Sequence, residues 1–352
     1  MIKLFQLDRI WSEIRHDALA NMDLVASQGW AQKGPSTLAL EQWLCDYSGR
    51  KHAITVASCT DALRCILEYH FPEESLIGVP SYTFIATVNA IERAGLVPIF
   101  LDVDANYHVK LNDIGGLNGI VGVDLFGLAQ DYDKIADLDI PFVMDAAQSI
   151  ETFDGQGRNS LAQGIASAVS FSPTKTIPAF GSGGAILTDD DEFAVWARKW
   201  RTHGKNVNSD VAITAGANSM MSSLEAAQVL CCVNHHQQWR DRRQAIAEEF
   251  IINITSDRLI APTTRGQHTW HKFIIRCSDL EVRQQLRDHL TAHGVDSQVY
   301  YQPLVHEEEL YLCDVVLHNS TWLSERSLGI PCQHTLTDEE IKTITNALRT
   351  FK

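Results

Sequence analysis

Lys175 is the residue whose surroundings in this sequence most clearly indicate chemistry. It stands between Pro173 and a glycine-rich turn in SFSPTKTIPAFGSGG (170–184), among small and apolar residues. A lysine that forms a Schiff base needs a site that favours its neutral form, because an ammonium group cannot attack an aldehyde. Partial burial of Lys175 would provide such a site. The alternative interpretation is an exposed loop lysine.

Other polar or aromatic residues follow apolar runs. Asp145 lies in IPFVMDAAQ (140–148), where a carboxylate is costly unless it is hydrogen-bonded. It could cap the next helix or, given a pyridoxal phosphate cofactor, keep the pyridine nitrogen protonated. The segment SCTDAL (58–63) opens a predicted helix, whose first amides could bind phosphate or simply be capped. Phe84 could stack on an aromatic cofactor or pack in the core.

The elements that must position these groups alternate along the chain. Short apolar runs are mostly separated by helix-like segments such as 59–70 and 84–95, which predicts a mostly parallel sheet covered by helices. The runs are HAITVA (52–57), LIGVP (76–80), LVPIFLD (96–102), GIVGVDLFG (119–127), IPFVMDAAQ (140–148), ASAVSFS (166–172) and GGAILT (183–188). The last two flank only the lysine loop, so one of them could pair antiparallel. Open parallel sheets bind ligands beyond the carboxyl ends of their strands, where the polar residues above converge.

The C-terminal third predicts a smaller α+β domain. A helical stretch from about Ser222 to Asn253 has a polar middle that we interpret as the bridge into it. Its predicted elements are the strand-like TWHKFIIRC (269–277), a helix over 280–293, the run DSQVYYQPL (296–304) and a last helix opened by the Thr337 to Glu340 capping box. We therefore divide the chain into a large domain, 1–235, and a small C-terminal domain, 236–352, with an N-terminal helix from about Asp8 to Ser27.

Composition excludes several classes of protein. The chain has 352 residues and a formal net charge of -15 without a basic stripe, which argues against nucleic-acid binding. Eight cysteines without a CxxC pair indicate reduced core residues of a cytoplasmic protein, and no metal site is predicted. No stretch is apolar enough to span a bilayer, so we expect a soluble chain without a membrane partner. The lack of an early G-x-G-x-x-G argues against dinucleotide binding.

The motifs in this order resemble the DegT/DnrJ/EryC1/StrS family of pyridoxal phosphate-dependent nucleotide-sugar aminotransferases, which have the fold-type-I architecture. The resemblance runs nearly end to end, and the whole set is far more specific than any one motif. It is carried by 27–63, 79–104, MDAAQSI (144–150), 170–190, RTHG (201–204), GANSMMSSLEAAQ (216–228) and PCQHTLTDEEI (331–341).

The resemblance implies a role for each matching residue. Lys175 would carry the cofactor, pyridoxal 5′-phosphate, and Asp145 would pair with its pyridine nitrogen; these two are the catalytic residues. Asn218 would reach the cofactor phosphate from the neighbouring subunit, which implies a homodimer with shared active sites. The other implied cofactor contacts are Cys59, Thr60 and Ser170 at the phosphate, Phe84 stacked on the ring and Gln148 near the ring hydroxyl. Tyr300, Tyr301 and His306 resemble a substrate-binding motif with slightly different spacing, and core packing is the alternative for the tyrosines.

Four positions depart from the family pattern. Cys59 replaces a glycine of the phosphate loop, which could strain its turn, and Met220 replaces an arginine. Ser182 and Thr176 stand where the family usually has an acidic residue and an asparagine. We interpret His203 and His271 as structural.

The implied function is transfer of an amino group from an amino acid, expected to be L-glutamate, to a keto group of a nucleotide-linked deoxysugar. Cofactor would alternate between its pyridoxal and pyridoxamine forms in a ping-pong mechanism. Sugar dehydratases of the same fold have histidine at the lysine position, so Lys175 argues against that alternative. A non-catalytic nucleotide-sugar-binding homologue is the other alternative, which Met220 favours slightly. The nucleotide, the keto position and the stereochemistry stay open.

Overall fold

A seven-stranded sheet forms the centre of the fold in the computed structural model, which describes residues 1–112, 114–206, 211–263 and 266–352. Its strands are β1 (His52–Val56), β2 (Leu76–Pro80), β3 (Val97–Leu101), β4 (Gly119–Val123), β5 (Phe142–Asp145), β6 (Ala166–Ser170) and β7 (Gly184–Thr188). The spatial order is β1-β7-β6-β5-β4-β2-β3. Only β7 runs against its neighbours, pairing antiparallel with β1 and β6. The predicted mostly parallel sheet is therefore confirmed, with its reversed strand directly after the lysine loop.

Helices cover both faces of this sheet. The helices of the described residues are α1 (Leu7–Ser27), α2 (Pro35–Ser48), α3 (Cys59–His70), α4 (Ile85–Arg93), α5 (Tyr132–Ala136), α6 (Asp191–Trp200), α7 (Ser223–Val233), α8 (His236–Asn253), α9 (Leu280–Ala292), α10 (His318–Arg326) and α11 (Asp338–Thr350). Successive strand residues alternate between two cores: Val143 packs in the cluster with α3 and α4, and Met144 in the cluster with α1, α2 and α7. Both faces are buried because residues alternate in direction along a strand.

A smaller antiparallel sheet lies in the C-terminal part of the chain. It consists of β8 (Leu259–Ile260), β9 (Phe273–Cys277) and β10 (Ser327–Ile330), with β9 in the middle. Helices α8, α9 and α11 contribute to its apolar core. The capping box at the start of α11 is present, since Thr337 Oγ1 accepts from Glu340 N at 3.2 Å and Glu340 Oε2 accepts from Thr337 N at 2.9 Å.

One sequence prediction needs correction here. The helical stretch predicted from 222 to 253 is two helices, α7 and α8, with a break at Asn234 and His235. The run 296–304, whose element type the sequence left open, makes one isolated bridge, between Gln298 and Gly329, and then turns. Pro303 in this run has no N–H group to give to a sheet.

The division into domains at residue 235 stays a prediction. The N-terminal segment contacts the C-terminal part directly, because Ile2 forms a bridge with Val295 and Arg9 forms an ion pair with Glu340. None of the described helices combines the length and the apolar character that crossing a membrane requires.

Candidate active site

A cavity of about 150 Å³ lies at the carboxyl ends of β5 and β6, where α3 begins. Asp145 is the last residue of β5 and Ser170 the last of β6, and Lys175 follows in the loop to β7. Seven of the predicted site residues line this one cavity: Cys59, Thr60, Phe84, Asp145, Gln148, Ser170 and Lys175. Strand ends separated by many residues meet at this sheet edge, as the parallel topology requires.

Asp145 is nearly buried, with 4% of its surface exposed. Oδ2 accepts from Thr87 Oγ1 at 2.8 Å, and Oδ1 accepts from Ala147 N at 3.0 Å. Burial raises the pKa of this carboxyl, while the bonds from Ala147 and Thr87 lower it. The residues after Asp145 form a turn and not the predicted helix, so the helix-capping alternative is wrong; the bond from Ala147 caps only this turn, and the role at a pyridine nitrogen stays a prediction.

Lys175 faces the same cavity. Its backbone N–H donates to Ser172 O at 2.9 Å, which closes the turn that presents the side chain. Burial lowers the pKa of its amine, and the nearby Cys59 and Asp145 oppose that shift. The site therefore favours the neutral amine more than water does, as nucleophilic chemistry requires.

The start of α3 forms one wall of the cavity. Ser58 caps the helix, accepting from Asp61 N at 3.1 Å. The first amides of a helix have no intrahelical partner, and the helix dipole favours an anion beside them. Cys59 does not have a positive φ, so the expected strain from a non-glycine residue is absent. Cys59 and Thr60 thus begin a regular helix that can bind a phosphate group.

Gly184 is required by close packing and not by its backbone conformation. Neither Gly183 nor Gly184 has a positive φ, so the GSGG segment does not need glycine for a tight turn. A Cβ at Gly184 would lie 2.5 Å from Cys59 N and 2.7 Å from Val169 O. The absence of a side chain lets β7 pass directly against the start of α3.

Gln148 connects three parts of the chain. Its Oε1 accepts from Phe126 N at 2.8 Å, and its Nε2 donates to the Tyr301 hydroxyl at 3.3 Å. His271 Nδ1 lies 3.1 Å from the same Oε1, and its Nε2 lies 3.1 Å from the carbonyl oxygen of Thr174 in the lysine loop. His271 is therefore a site residue that the sequence interpretation missed, and no periodicity or spacing in the sequence marks it.

Phe84 is 55% exposed although it belongs to a residue type that is usually buried. Its ring lines the cavity, with its centroid 6.3 Å from that of Tyr301. An exposed aromatic face at a cavity is available to stack on a planar ligand.

Four predicted residues do not line this cavity: Asn218, Tyr300, Tyr301 and His306. Asn218 is exposed and forms a bridge with Thr202. Tyr300 is buried, and its hydroxyl donates to Gln298 at 3.0 Å. His306 is buried with Nδ1 2.6 Å from Ser81 Oγ. Tyr301 accepts a hydrogen bond from Gln148, which lines the cavity, and the roles of all four residues stay predictions.

The types of group around the cavity match the functional groups of pyridoxal phosphate. An amine that favours its neutral form, a buried carboxyl, a helix start and an exposed aromatic face surround a single cavity. Each group has a chemical counterpart in the cofactor: the aldehyde, the ring nitrogen, the phosphate and the ring face.

Comparison with known proteins agrees with this match between the cavity and the cofactor. The model of the DegT/DnrJ/EryC1/StrS aminotransferase family matches residues 12–349. The chain belongs to this family. It is an enzyme of the aminotransferase class, and the residues around the cavity fit pyridoxal 5′-phosphate as its cofactor.

This chain aligns with named relatives over most of their length. It is 30% identical over 324 residues to the erythromycin biosynthesis sensory transduction protein EryC1 of Saccharopolyspora erythraea, covering 88% of this chain and 87% of the relative. It is 28% identical over 373 residues to the UDP-N-acetyl-3-dehydro-α-D-glucosamine 3-aminotransferase of Acidithiobacillus ferrooxidans, covering 99% and 97%.

Solved structures share the whole fold. A DegT DnrJ EryC1 StrS aminotransferase from Brucella abortus superposes with a TM-score of 0.93 at 28% identity, covering 100% of this chain and 99% of that one. A Bacillus subtilis protein with bound PMP has the same fold, with a TM-score of 0.90 at 24% identity, covering 99% and 84%. The architecture is that of the fold-type-I pyridoxal phosphate transferases.

Proposed function

We propose that this aminotransferase moves an amino group from an amino acid, L-glutamate, to a keto group of a nucleotide-linked deoxysugar. The observation that carries the proposal is the presence of Lys175 and Asp145 in one buried cavity at the start of α3. The substrate class is supported by relatives named as aminotransferases of nucleotide-linked sugars. The cofactor would alternate between its pyridoxal and pyridoxamine forms, so that donor and acceptor use the same cavity in turn.

Each residue has a defined task in this proposal. When bound, pyridoxal phosphate supplies an electron sink for charge that develops at the carbon bearing the amino group. Asp145 would hold a proton on the ring nitrogen, and the hydrogen bonds that it accepts from Thr87 and Ala147 keep its carboxylate in place. The Lys175 Nζ would move a proton from the amino-bearing carbon of the donor to the carbon of the cofactor, for which its lowered pKa is suited.

The remaining groups orient the cofactor. The amides and hydroxyl of Cys59 and Thr60, together with the Ser170 hydroxyl, would bind its phosphate, and Phe84 would stack on its ring. Gln148, fixed by Phe126 and His271, would lie near the ring hydroxyl.

Subunit arrangement and location are part of the proposal. Asn218 is exposed and lies outside the cavity of its own chain, which is consistent with reaching the phosphate in a second subunit of a homodimer. All eight cysteines are free thiols, which is consistent with a reducing cytoplasm.

A non-catalytic nucleotide-sugar-binding protein is the second candidate. Met220 stands in the place of the family's usual arginine, and one relative bears the name of a sensory transduction protein. The lowered pKa of Lys175 beside Asp145 favours the enzyme, because a binding protein has no need of a reactive amine.

Visible absorption of the purified protein with pyridoxal phosphate, followed by borohydride reduction and peptide mapping, tests the proposal. We expect an absorption band that shifts with L-glutamate and a reduced adduct at Lys175. Folded protein that shows neither would support the binding protein instead. K175A should lose turnover, and normal turnover in this variant would contradict the assignment.

A further inference from the structure

A second, smaller cavity of about 40 Å³ shares Lys175 with the first. Its other charged side chains are Lys272 and Arg243, and His271 also lines it. No aspartate or glutamate is among its described lining residues, although the whole chain has a formal net charge of -15. The cavity is thus a concentration of positive charge in an acidic protein.

Lys272 is the unusual member of this group. It is 8% exposed, and no carboxylate of the described residues lies within ion-pair distance of its ammonium. Its Nζ lies 3.6 Å from the centroid of the Phe5 ring and 5.5 Å from that of Tyr300. A buried ammonium group without an anion is costly, and aromatic faces recover only part of that cost.

Arg243 adds a second unsatisfied donor. It is 2% exposed, and its Nη2 forms an ion pair with the fully buried Glu151. Nε donates to Thr269 O at 2.9 Å, but Nη1 has no hydrogen-bond partner among the described residues. Glu151 therefore neutralises Arg243, and nothing in the described lining neutralises Lys272.

We propose that Lys272 binds a carboxylate group of a substrate whose reacting atoms lie at Lys175. A volume of about 40 Å³ has room for roughly three water molecules, and so for the two oxygens of a carboxylate. This inference rests on the proposed aminotransfer. The carboxylate belongs either to the amino-acid donor or to an acidic sugar acceptor; in both cases the same ammonium receives it.

Burial, together with the charge of Lys175, holds the pKa of Lys272 well below its usual range. That direction agrees with an ammonium group that lacks negative charge around it. The alternative is that Lys272 only fastens the N-terminal segment through Phe5.

Calorimetric titration of the cofactor-loaded protein with glutarate separates these two roles. We expect K272M to weaken glutarate binding by about tenfold or more, because a hydrogen bond to a charged group is lost. F5L removes the ring beneath the ammonium and should lower thermal stability. Loss of glutarate binding in F5L as large as that in K272M would show that Lys272 only fastens the N-terminal segment, which would overturn the proposal. Equal glutarate affinity in K272M and the wild type would overturn the proposal.

A measurement on the wild type guards against a K272M variant that does not fold. Glutaramide, the neutral counterpart of glutarate, should bind at least about tenfold more weakly. Equal binding of the two compounds would also overturn the proposal.

Two further titrations identify the source of the carboxylate. If the carboxylate belongs to the donor, K272M raises the KM for L-glutamate. The variant then binds UDP-glucuronate and UDP-glucose with equal affinity. If it belongs to the acceptor, K272M weakens UDP-glucuronate binding and spares UDP-glucose. Lys272-dependent glutarate binding in a wild-type protein that forms no Lys175 adduct would contradict the proposed aminotransfer but not the carboxylate site.

Discussion

The hydroxyl of Thr87 donates a hydrogen bond of 2.8 Å to Oδ2 of Asp145, across 58 residues of sequence. Thr87 belongs to α4 and Asp145 to the end of β5, so helix and sheet packing together fix the carboxyl. Thr83 Oγ1 lies 3.3 Å from Thr87 Oγ1 and extends the pair into a short chain of hydroxyls. The orientation of Asp145 depends on this packing.

T87V should therefore weaken cofactor binding by about tenfold while the protein stays folded. Valine keeps the shape of threonine but leaves one oxygen of a buried carboxyl without its donor. Loss of that donor raises the pKa of Asp145 further, since the Thr87 bond lowers it in the wild type. Pyridoxal phosphate affinity by fluorescence titration measures the effect.

T87S and T83V are the controls for this prediction. T87S keeps the hydroxyl and should bind the cofactor almost normally, and T83V removes a hydroxyl that does not contact Asp145. If T83V weakens binding as much as T87V, packing rather than the bond to Asp145 is responsible.

G184A should destabilise the protein and G183A should not. A methyl group at Gly184 would meet backbone atoms, Cys59 N at 2.5 Å and Val169 O at 2.7 Å, which cannot move without shifting β6 or α3. At Gly183 it would meet Met221 Cε at 2.8 Å, the end of a flexible side chain. Overpacking costs about 1–3 kcal/mol, so urea unfolding should show a loss of that size for G184A alone. Equal stability of the two variants would contradict the close approach of β7 to α3.

The pH dependence of adduct formation at Lys175 follows from its lowered pKa. Only the neutral amine reacts, so the rate of reaction of the cofactor-free protein with pyridoxal phosphate should rise with pH and level off above the pKa of Lys175. That midpoint should lie below 10.5, the value of an ordinary lysine, because burial disfavours the ammonium form.

D145N tests the sign of the electrostatic contribution. Asp145 raises the pKa of Lys175, so removing its charge should move the midpoint to still lower pH. Borohydride reduction and mass spectrometry at each pH give the rate. A midpoint that moves upward in D145N would show that the carboxyl does not act on Lys175 as described.

Cysteine labelling should discriminate between buried and exposed thiols. Burial raises the pKa of Cys59 well above its usual value, and Asp145 adds to the shift, so its unreactive thiol form persists. Cys313 is exposed. Iodoacetamide at pH 8 should label Cys313 within minutes and leave Cys59 unlabelled, as measured by peptide mass spectrometry. Rapid labelling of Cys59 would show that the start of α3 is open to solvent.

The local sequence was sufficient to predict the sheet and much of the cavity. Each strand is a short apolar run. Asp145 and Ser170 are the last residues of their strands, and Cys59 and Lys175 follow strand ends within a few residues. Their convergence follows from parallel topology, which brings those ends to one edge whatever the loops between them do. Segment order and motif identity therefore determined the fold class, the family and the place of the candidate site.

Contacts between distant segments needed the tertiary structure. Thr87, His271 and Lys272 each reach the site region from elements whose sequence pattern records only burial. The contact of Gly184 with Cys59 also arises only when β7 folds back antiparallel against β1 and β6. Periodicity reports which face of an element is buried, but not which polar group it meets there; that depends on the packing of elements that are far apart in sequence.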